Sequence, residues 1–286
     1  MRMSFTGSSA VLSVVVPALD EAAGIAACLE RLVDQDTIDE IVVVDNGSTD
    51  NTREIVAELA ARHPKIELIS EPQPGVAFAR NTGFDKARGD YLGRIDADTL
   101  VSPEWGATVR AHLDTHPDTM AVTGISTYHD SPIGIFLAAA IGGQERLGMI
   151  KTQPVGNVHG ANMAIRRSAW EQVRAATTTR RDLHEDLDLA LCLSKAKLRI
   201  DQLPTLRAEI SARRRKTPPD VWWKYQLRGL QTIANQGYAV VPFHRAVITG
   251  AWIMHTSQWP IYRAWDFDRK RFSLRSGRPR VSPVGD

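Results

Sequence analysis

Apolar runs and amphipathic stretches alternate through the first hundred residues of this chain. Residues 11–17 (VLSVVVP) form a continuous apolar run, the pattern of a strand covered on both faces. Residues 22–33 follow with helical spacing at Ile25, Leu29 and Leu32. Further strands are predicted over 40–45 (EIVVVD), 66–70 (IELIS) and 91–96 (YLGRID). Helices are predicted between them over 52–62, where Asn51 and Glu54 make a capping box, and over 76–86. Strand–helix alternation of this kind builds a mostly parallel central sheet with helices on both faces, an α/β fold.

The pattern loosens beyond residue 100. Pro103 opens a helix through about His112, residues 120–126 and 161–167 read as strands, and Ser168 caps a helix through Val173. Residues 187–193 have helical apolar spacing, and 198–203 form a further short strand. After Arg213 the order is irregular, with helical stretches at 220–235 and 245–254 and a polar tail from about Arg275. No internal repeat is present. The stretch 133–141 (IGIFLAAAI) lies in a Gly-rich segment and is predicted as a helix buried against the sheet; the sharper alternative is a surface for a lipid-linked acceptor. Neither that stretch nor 239–254, interrupted by Pro242, His244 and Arg245, reaches the roughly 18 apolar residues of a membrane span.

Composition narrows the picture further. With 286 residues, 43% hydrophobic and 24% charged, the chain can bury a sizeable core, which excludes a disordered or fibrous protein. Its two cysteines, Cys28 and Cys192, exclude a disulfide scaffold and a four-cysteine zinc site, and point to a reducing, cytoplasmic compartment. The net charge of +2 conceals an asymmetry: residues 213–286 hold 14 Lys/Arg against 4 Asp/Glu, and five of the seven Trp. A basic, Trp-rich end suits a nucleic acid or a membrane surface. The indoles fit lipid headgroups at least as well as bases, so the expected contact is the inner face of the plasma membrane, with no nucleic-acid partner.

Three acidic features carry candidate chemistry. Asp96 and Asp98 alternate at the end of a predicted buried strand, so both carboxylates point to one side of the carboxyl edge of the sheet. Two hard oxygen donors there suit Mg²⁺ or Mn²⁺ bridging to a diphosphate; a solvated turn is the plainer alternative. Asp45 ends an Ile-Val-Val-Val run at the same edge and needs a partner, such as a nucleobase N–H or ribose hydroxyls. His184-Glu185-Asp186 opens a helix, where acidic residues match the dipole but where one carboxylate can also serve as a general base. His112 and His116 have helical metal spacing without the Glu of a zinc protease, and read as a surface pair. No G-x-G-x-x-G, P-loop or G-x-S-x-G string occurs, which argues against a dinucleotide oxidoreductase, a P-loop NTPase and an α/β-hydrolase.

The features stand in a specific order: VVVPALDE, VVVDNGSTD, PGVAFARNTG, GDYLGRIDADT, GANMAIRR and HEDLDLAL. That succession closely resembles the family 2 glycosyltransferases of the GT-A fold over roughly residues 11–215. The resemblance implies a GT-A domain over 1–215, with a donor half at about 11–100 and an acceptor half at about 101–215, followed by a basic, aromatic helical extension over 216–286. It implies inverting transfer from a nucleotide-diphosphate-sugar donor to an acceptor hydroxyl, of a cell-envelope polysaccharide or a lipid-linked glycan among others. Pro17, Leu19 and Glu21 would line the nucleoside pocket, Asp45 the base, and Asp96 the ribose or a metal-bound water, with Asp98 on Mn²⁺ or Mg²⁺. Asp186 matches the general base, Glu185 a contact to the acceptor or a brace for the loop, and Arg80 the helix behind the donor. Arg94, where many relatives carry an apolar residue, would neutralise the carboxylates or touch the diphosphate, and Arg213 and Arg214 would face the leaving diphosphate. Two other readings of the same residues are a sugar-phosphate nucleotidyltransferase, which would show a Gly-rich phosphate loop missing from 17–24, and a non-catalytic nucleotide-sugar-binding protein. On the leading reading, the carboxylates of Asp45, Asp98 and Asp186 converge at one rim.

Overall fold

In the computed structural model, residues 10–273 are described; the polar tail predicted from about Arg275 lies outside them. Residues 12–94 follow the sequence pattern closely. Strands β1 (Leu12–Ala18), β2 (Glu40–Asp45), β3 (Ile66–Ser70) and β4 (Tyr91–Arg94) pair in parallel in the order β3-β2-β1-β4. Helices α1 (Ile25–Val33), α2 (Thr52–Arg62) and α3 (Val76–Lys86) connect them. Alternation explains why the runs are apolar throughout. Val14, Val16, Ile41 and Val43 enter the core on one face of the sheet, while Val15, Val42, Val44 and Leu92 enter the core on the other. Gly83 lets α3 lie directly on β1, since a Cβ there would sit 2.2 Å from Val15 Cγ1. The expected capping box at Asn51 does not form. Instead the Asp50 carboxylate accepts the N–H groups of Thr52 and Ala22, tying the turn after β2 to the one after β1.

The second half completes the sheet with mixed pairings. A two-residue strand β5 (Leu100–Val101) precedes α4 (Trp105–Thr115), then β6 (Thr119–Tyr128), α5 (Gly134–Arg146), the short β7 (Gln153–Pro154), β8 (Met163–Arg166), α6 (Arg167–Val173) and α7 (Glu185–Lys195). The order continues β4-β8-β6-β9-β5, with β7 also on β9 (Arg199–Ile210). Ser168 lies within the first turn of α6, and Arg166 holds the capping position expected of it. Strand β9 is twice as long as the short strand expected over 198–203. Its pairing with β6 steps from Leu203–Gly124 to Arg207–Ile125, so Pro204 falls in a bulge where no ladder hydrogen bond is required of it.

The largest departure is α5. Expected as a buried helix on the sheet, it contains no buried residue, and Ile135 and Phe136 are 76% and 72% exposed. The C-terminal region forms α8 (Pro219–Asn235) and α9 (Pro242–Arg263), then a small hairpin of β10 (Trp265–Asp266) and β11 (Arg271–Phe272). Helix α9 extends well beyond the predicted 245–254: Pro242 sits in its first turn, where the missing N–H is harmless, and the helix continues through Pro260. The indoles of this region are used internally. Trp252, Trp259 and Trp265 donate to the carbonyls of Pro219, Lys216 and Asp130, which turns these three toward the body of the protein rather than toward a headgroup layer.

Candidate active site

The carboxyl ends of β1 and β4, the start of α7, the turn after β9 and the first half of α8 enclose a cavity of about 370 Å³. Pro17, Leu19, Glu21, Arg94, Asp96, Asp98, Glu185, Asp186, Arg213 and Arg214 all line it. Asp45 and Arg80 do not. Asp45 is buried under Arg53 Nη1 at 2.7 Å and accepts the N–H groups of Gly47 and Ser48. Burial opposes its ionisation, but these hydrogen bonds prevail and hold its carboxyl below the usual range. Its neighbour Asn46 reaches the cavity wall and bonds the Glu71 and Gln73 carbonyls and the Gly75 N–H.

Just past β4, Ile95 enters the core and Arg94, Asp96 and Asp98 line the cavity, with Ala97 packed in the core and also reaching the cavity wall. Arg94, 3% exposed, joins two segments distant in sequence. Its Nη2 lies 2.9 Å from Asp96 Oδ1 and its Nη1 2.6 Å from Glu185 Oε1. Glu185 Oε2 is in turn 2.9 Å from Arg80 Nη1, which also donates to the Glu185 carbonyl. The result is an alternating chain of charges, Asp96–Arg94–Glu185–Arg80, in which every member is paired. Gly160 makes room for it, since a Cβ there would sit 1.6 Å from Arg94 Nη1. Glu185 is thereby a brace between two guanidinium groups. Burial raises its pKa, with the two arginines opposing.

Asp186, next to Glu185 in the first turn of α7, also lines the cavity. Burial disfavours its charge, but Arg94, His159 and His184 outweigh that and keep its pKa below the ordinary value, so it is ionised at neutral pH. His184 precedes the helix in an extended conformation, packs tilted against the Tyr225 ring and donates from Nε2 to the Tyr225 carbonyl, 2.9 Å away. Asp98 is the opposite case: burial and the neighbouring Asp96 charge push it up to about 6. Arg213 Nη2 sits 3.5 Å from both Asp98 Oδ2 and Glu21 Oε2, bringing a cation to the carboxylate pair. Arg214 packs over the Tyr225 ring and donates to its hydroxyl.

The described residues contain no cluster of three or more His, Cys, Asp and Glu side chains able to hold a metal. Asp96 and Asp98 are nevertheless two hard oxygen donors, and burial together with the Asp96 charge makes Asp98 harder to ionise than an ordinary carboxyl. That donor set fits Mg²⁺ or Mn²⁺, whose shell is ordinarily completed by substrate phosphates and water. Sequence reasoning missed His159, Tyr128, Trp222 and Tyr225 in the cavity wall. Gly160 did stand in the GANM string, but nothing local marked the aromatic residues of α8 as anything but part of a Trp-rich extension.

Residues 13–174 match the family model described as "Glycosyl transferase family 2". A chondroitin synthase of Pasteurella multocida is 33% identical over 95 residues, which is 33% of this chain and 10% of the synthase. Glycosyltransferase AglE of Haloferax volcanii is 32% identical over 124 residues, 42% of this chain and 38% of that protein. The chain thus spans well under two thirds of the length of these relatives. Among solved structures, mannosyltransferase PcManGT from Pyrobaculum calidifontis, in complex with GDP-Man and Mn²⁺, superposes with a TM-score of 0.63 at 21% identity, over 89% of this chain and 74% of that one. S. aureus TarS 1–349 with UDP-GlcNAc gives 0.58 at 16% identity, over 86% and 72%. At these identities the superpositions establish a shared fold.

Proposed function

Because the chain belongs to glycosyl transferase family 2, we propose that it moves a sugar from a nucleoside diphosphate donor to an acceptor hydroxyl, with inversion at the anomeric carbon. The observation that carries this reading is the meeting of Asp96, Asp98 and Asp186 in one cavity with Arg213 and Arg214. A volume of about 370 Å³ suits a ligand of nucleotide-sugar size.

The nucleoside lies along Pro17, Leu19 and Glu21, with Asn46 beside it and Asp45 acting from below by holding the turn at Gly47 and Ser48. Mn²⁺ or Mg²⁺ would be held by Asp98 and Asp96 together with the donor phosphates, and when bound supplies Lewis-acid stabilisation of the leaving diphosphate. Arg213 and Arg214 offset the charge that grows on that diphosphate. The acceptor oxygen attacks the anomeric carbon opposite the departing group. As the new C–O bond forms and the bond to the phosphate oxygen breaks, the hydroxyl proton passes to the Asp186 carboxylate. Glu185, held by Arg94 and Arg80, fixes the first turn of α7 and with it the position of Asp186.

The test is Asp186→Asn, assayed by release of nucleoside diphosphate from a panel including GDP-mannose and UDP-N-acetylglucosamine with Mn²⁺. Turnover should fall by about 10² to 10⁴, the usual worth of a general base, while the donor-induced rise in melting temperature is kept. Wild-type turnover in this variant would remove Asp186 from the role, and absence of any donor-induced stabilisation in the parent protein would overturn the transferase reading itself.

A further inference from the structure

Helix α9 is 22 residues long, about 33 Å at 1.5 Å per residue, and is neither buried nor polar on its outer side. Phe243, Val247, Met254 and Ile261 recur at intervals of four and seven, so they form one stripe along the whole helix. They are 70%, 53%, 50% and 37% exposed, and Ile253, beside the stripe, is 58% exposed. The opposite side is the one that docks. There His255 stacks on Trp222 and bonds the Thr217 carbonyl, and the Tyr262 hydroxyl meets Ser131 Oγ at 2.7 Å. That last contact brings the start of α5, with its exposed Ile135 and Phe136, to the final turn of α9.

Charge identifies the occupant of this face. Helix α9 carries no Asp or Glu, and in the hairpin after it the exposed Arg269, Lys270 and Arg271 outnumber Asp266 and Asp268; Arg245 and Arg263 lie on the other side of the helix, Arg263 over the Trp259 ring. A second copy of the chain would bring a like-charged rim against this one, whereas an anionic bilayer complements it. No helix among the described residues is long and apolar enough to cross a membrane, which leaves a helix lying in the interface plane.

We propose that the outer face of α9, extended by the first turn of α5, docks on the surface of an anionic lipid bilayer. Phe243, Val247 and Met254 enter the acyl boundary, and Arg269, Lys270 and Arg271 of the following hairpin meet the headgroups. The inner face of the same helix touches Trp222 and Thr217, both in the cavity wall, so docking sets the cavity about one helix diameter from the bilayer. Lipid binding stands whether or not the transferase reading does, and it is measured without turnover.

The experiment is flotation of the full chain with vesicles of phosphatidylcholine alone and of phosphatidylcholine mixed with phosphatidylglycerol, at low and high ionic strength. The comparison variant is Phe243→Ser/Val247→Ser/Met254→Ser, all outward-facing residues; its melting temperature checks that the fold is intact. Expected are binding to the anionic vesicles, weakening with salt, and a loss of roughly tenfold or more in the triple variant. Three outcomes each overturn the proposal: no binding to anionic vesicles at low salt, equal binding to the zwitterionic ones, or undiminished binding by the folded triple variant. A dimer in light scattering that the triple variant abolishes would assign the face to a second copy instead.

Discussion

Arg94 shows how much a single side chain can decide. It ends β4, yet its guanidinium holds Asp96 just beyond that strand and Glu185 at the start of α7 at once. Two geometric demands follow: a planar fork able to reach both carboxylates, and an empty volume at Gly160. Arg94→Met strips one partner from the buried Glu185 and should lower stability by about 3 kcal/mol, measured by denaturant unfolding. Arg94→Lys keeps the charge but not the fork. It should recover much of that stability while kcat stays well below wild type. Full recovery of kcat in the lysine variant would mean that bridging the two carboxylates does not position Asp186. Gly160→Ala forces the guanidinium out of its place and should cost about 1–3 kcal/mol by overpacking, with a fall in kcat of the same kind. The same residue explains a limit of sequence reading. An arginine before Asp96 is visible in the string, but that its second partner is Glu185, 91 positions on, is not.

At the scale of elements, α8 and α9 are pinned by two buried imidazoles. His184 bonds the Tyr225 carbonyl and His255 the Thr217 carbonyl, and burial lowers the pKa of each below its ordinary value. Both rings are harder to protonate in the folded chain than in the unfolded one. The stability they confer is therefore complete above the unfolded value near 6.5, and is lost as the pH falls below it toward the depressed folded values. In melting temperatures taken from pH 8 to pH 5, these two imidazoles should contribute a decline below about 6.5, against Asp98, whose raised value of about 6 favours the fold as the pH falls through it. His255→Phe, which keeps a ring against Trp222, should flatten that decline, and an unchanged slope would exclude His255 as a source. Elements with a strong local period, from β1 to α3, matched their predicted bounds within a few residues. Those that departed did so for tertiary reasons. Pro204 shortened the predicted strand because the bulge that accommodates it is a property of the β6–β9 pairing, and α5 reads as core because apolar composition alone does not say what covers it.

Across the whole molecule, the cavity is an assembly of segments that meet only when the sheet is complete. The C-terminal helices are part of its wall: Tyr225 holds Arg214, and Gln236 Nε2 donates to the buried Asp188 carboxylate of α7 at 2.6 Å. A chain ending at Arg215 should thus lose donor-induced stabilisation as well as lipid binding, because Asp188, Arg214 and His184 are left without these partners. A truncated chain that binds donor as the parent does would show that the extension takes no part in holding the donor. By itself the sequence determined the α/β class, the family, and which acidic residues stand at strand and helix ends, since alternation, helical spacing and turn chemistry are written within a few neighbouring residues. Only the tertiary structure decided that Asp45 is covered by Arg53 while Asp98 and Asp186 share a cavity, that Glu185 is clamped between two arginines, and that the tryptophans stitch α9 to the body while its aliphatic stripe faces outward. Those outcomes depend on contacts such as Arg213 with Glu21, 192 positions apart, whose distance is set by the register of strands and the docking of helices and by no local pattern.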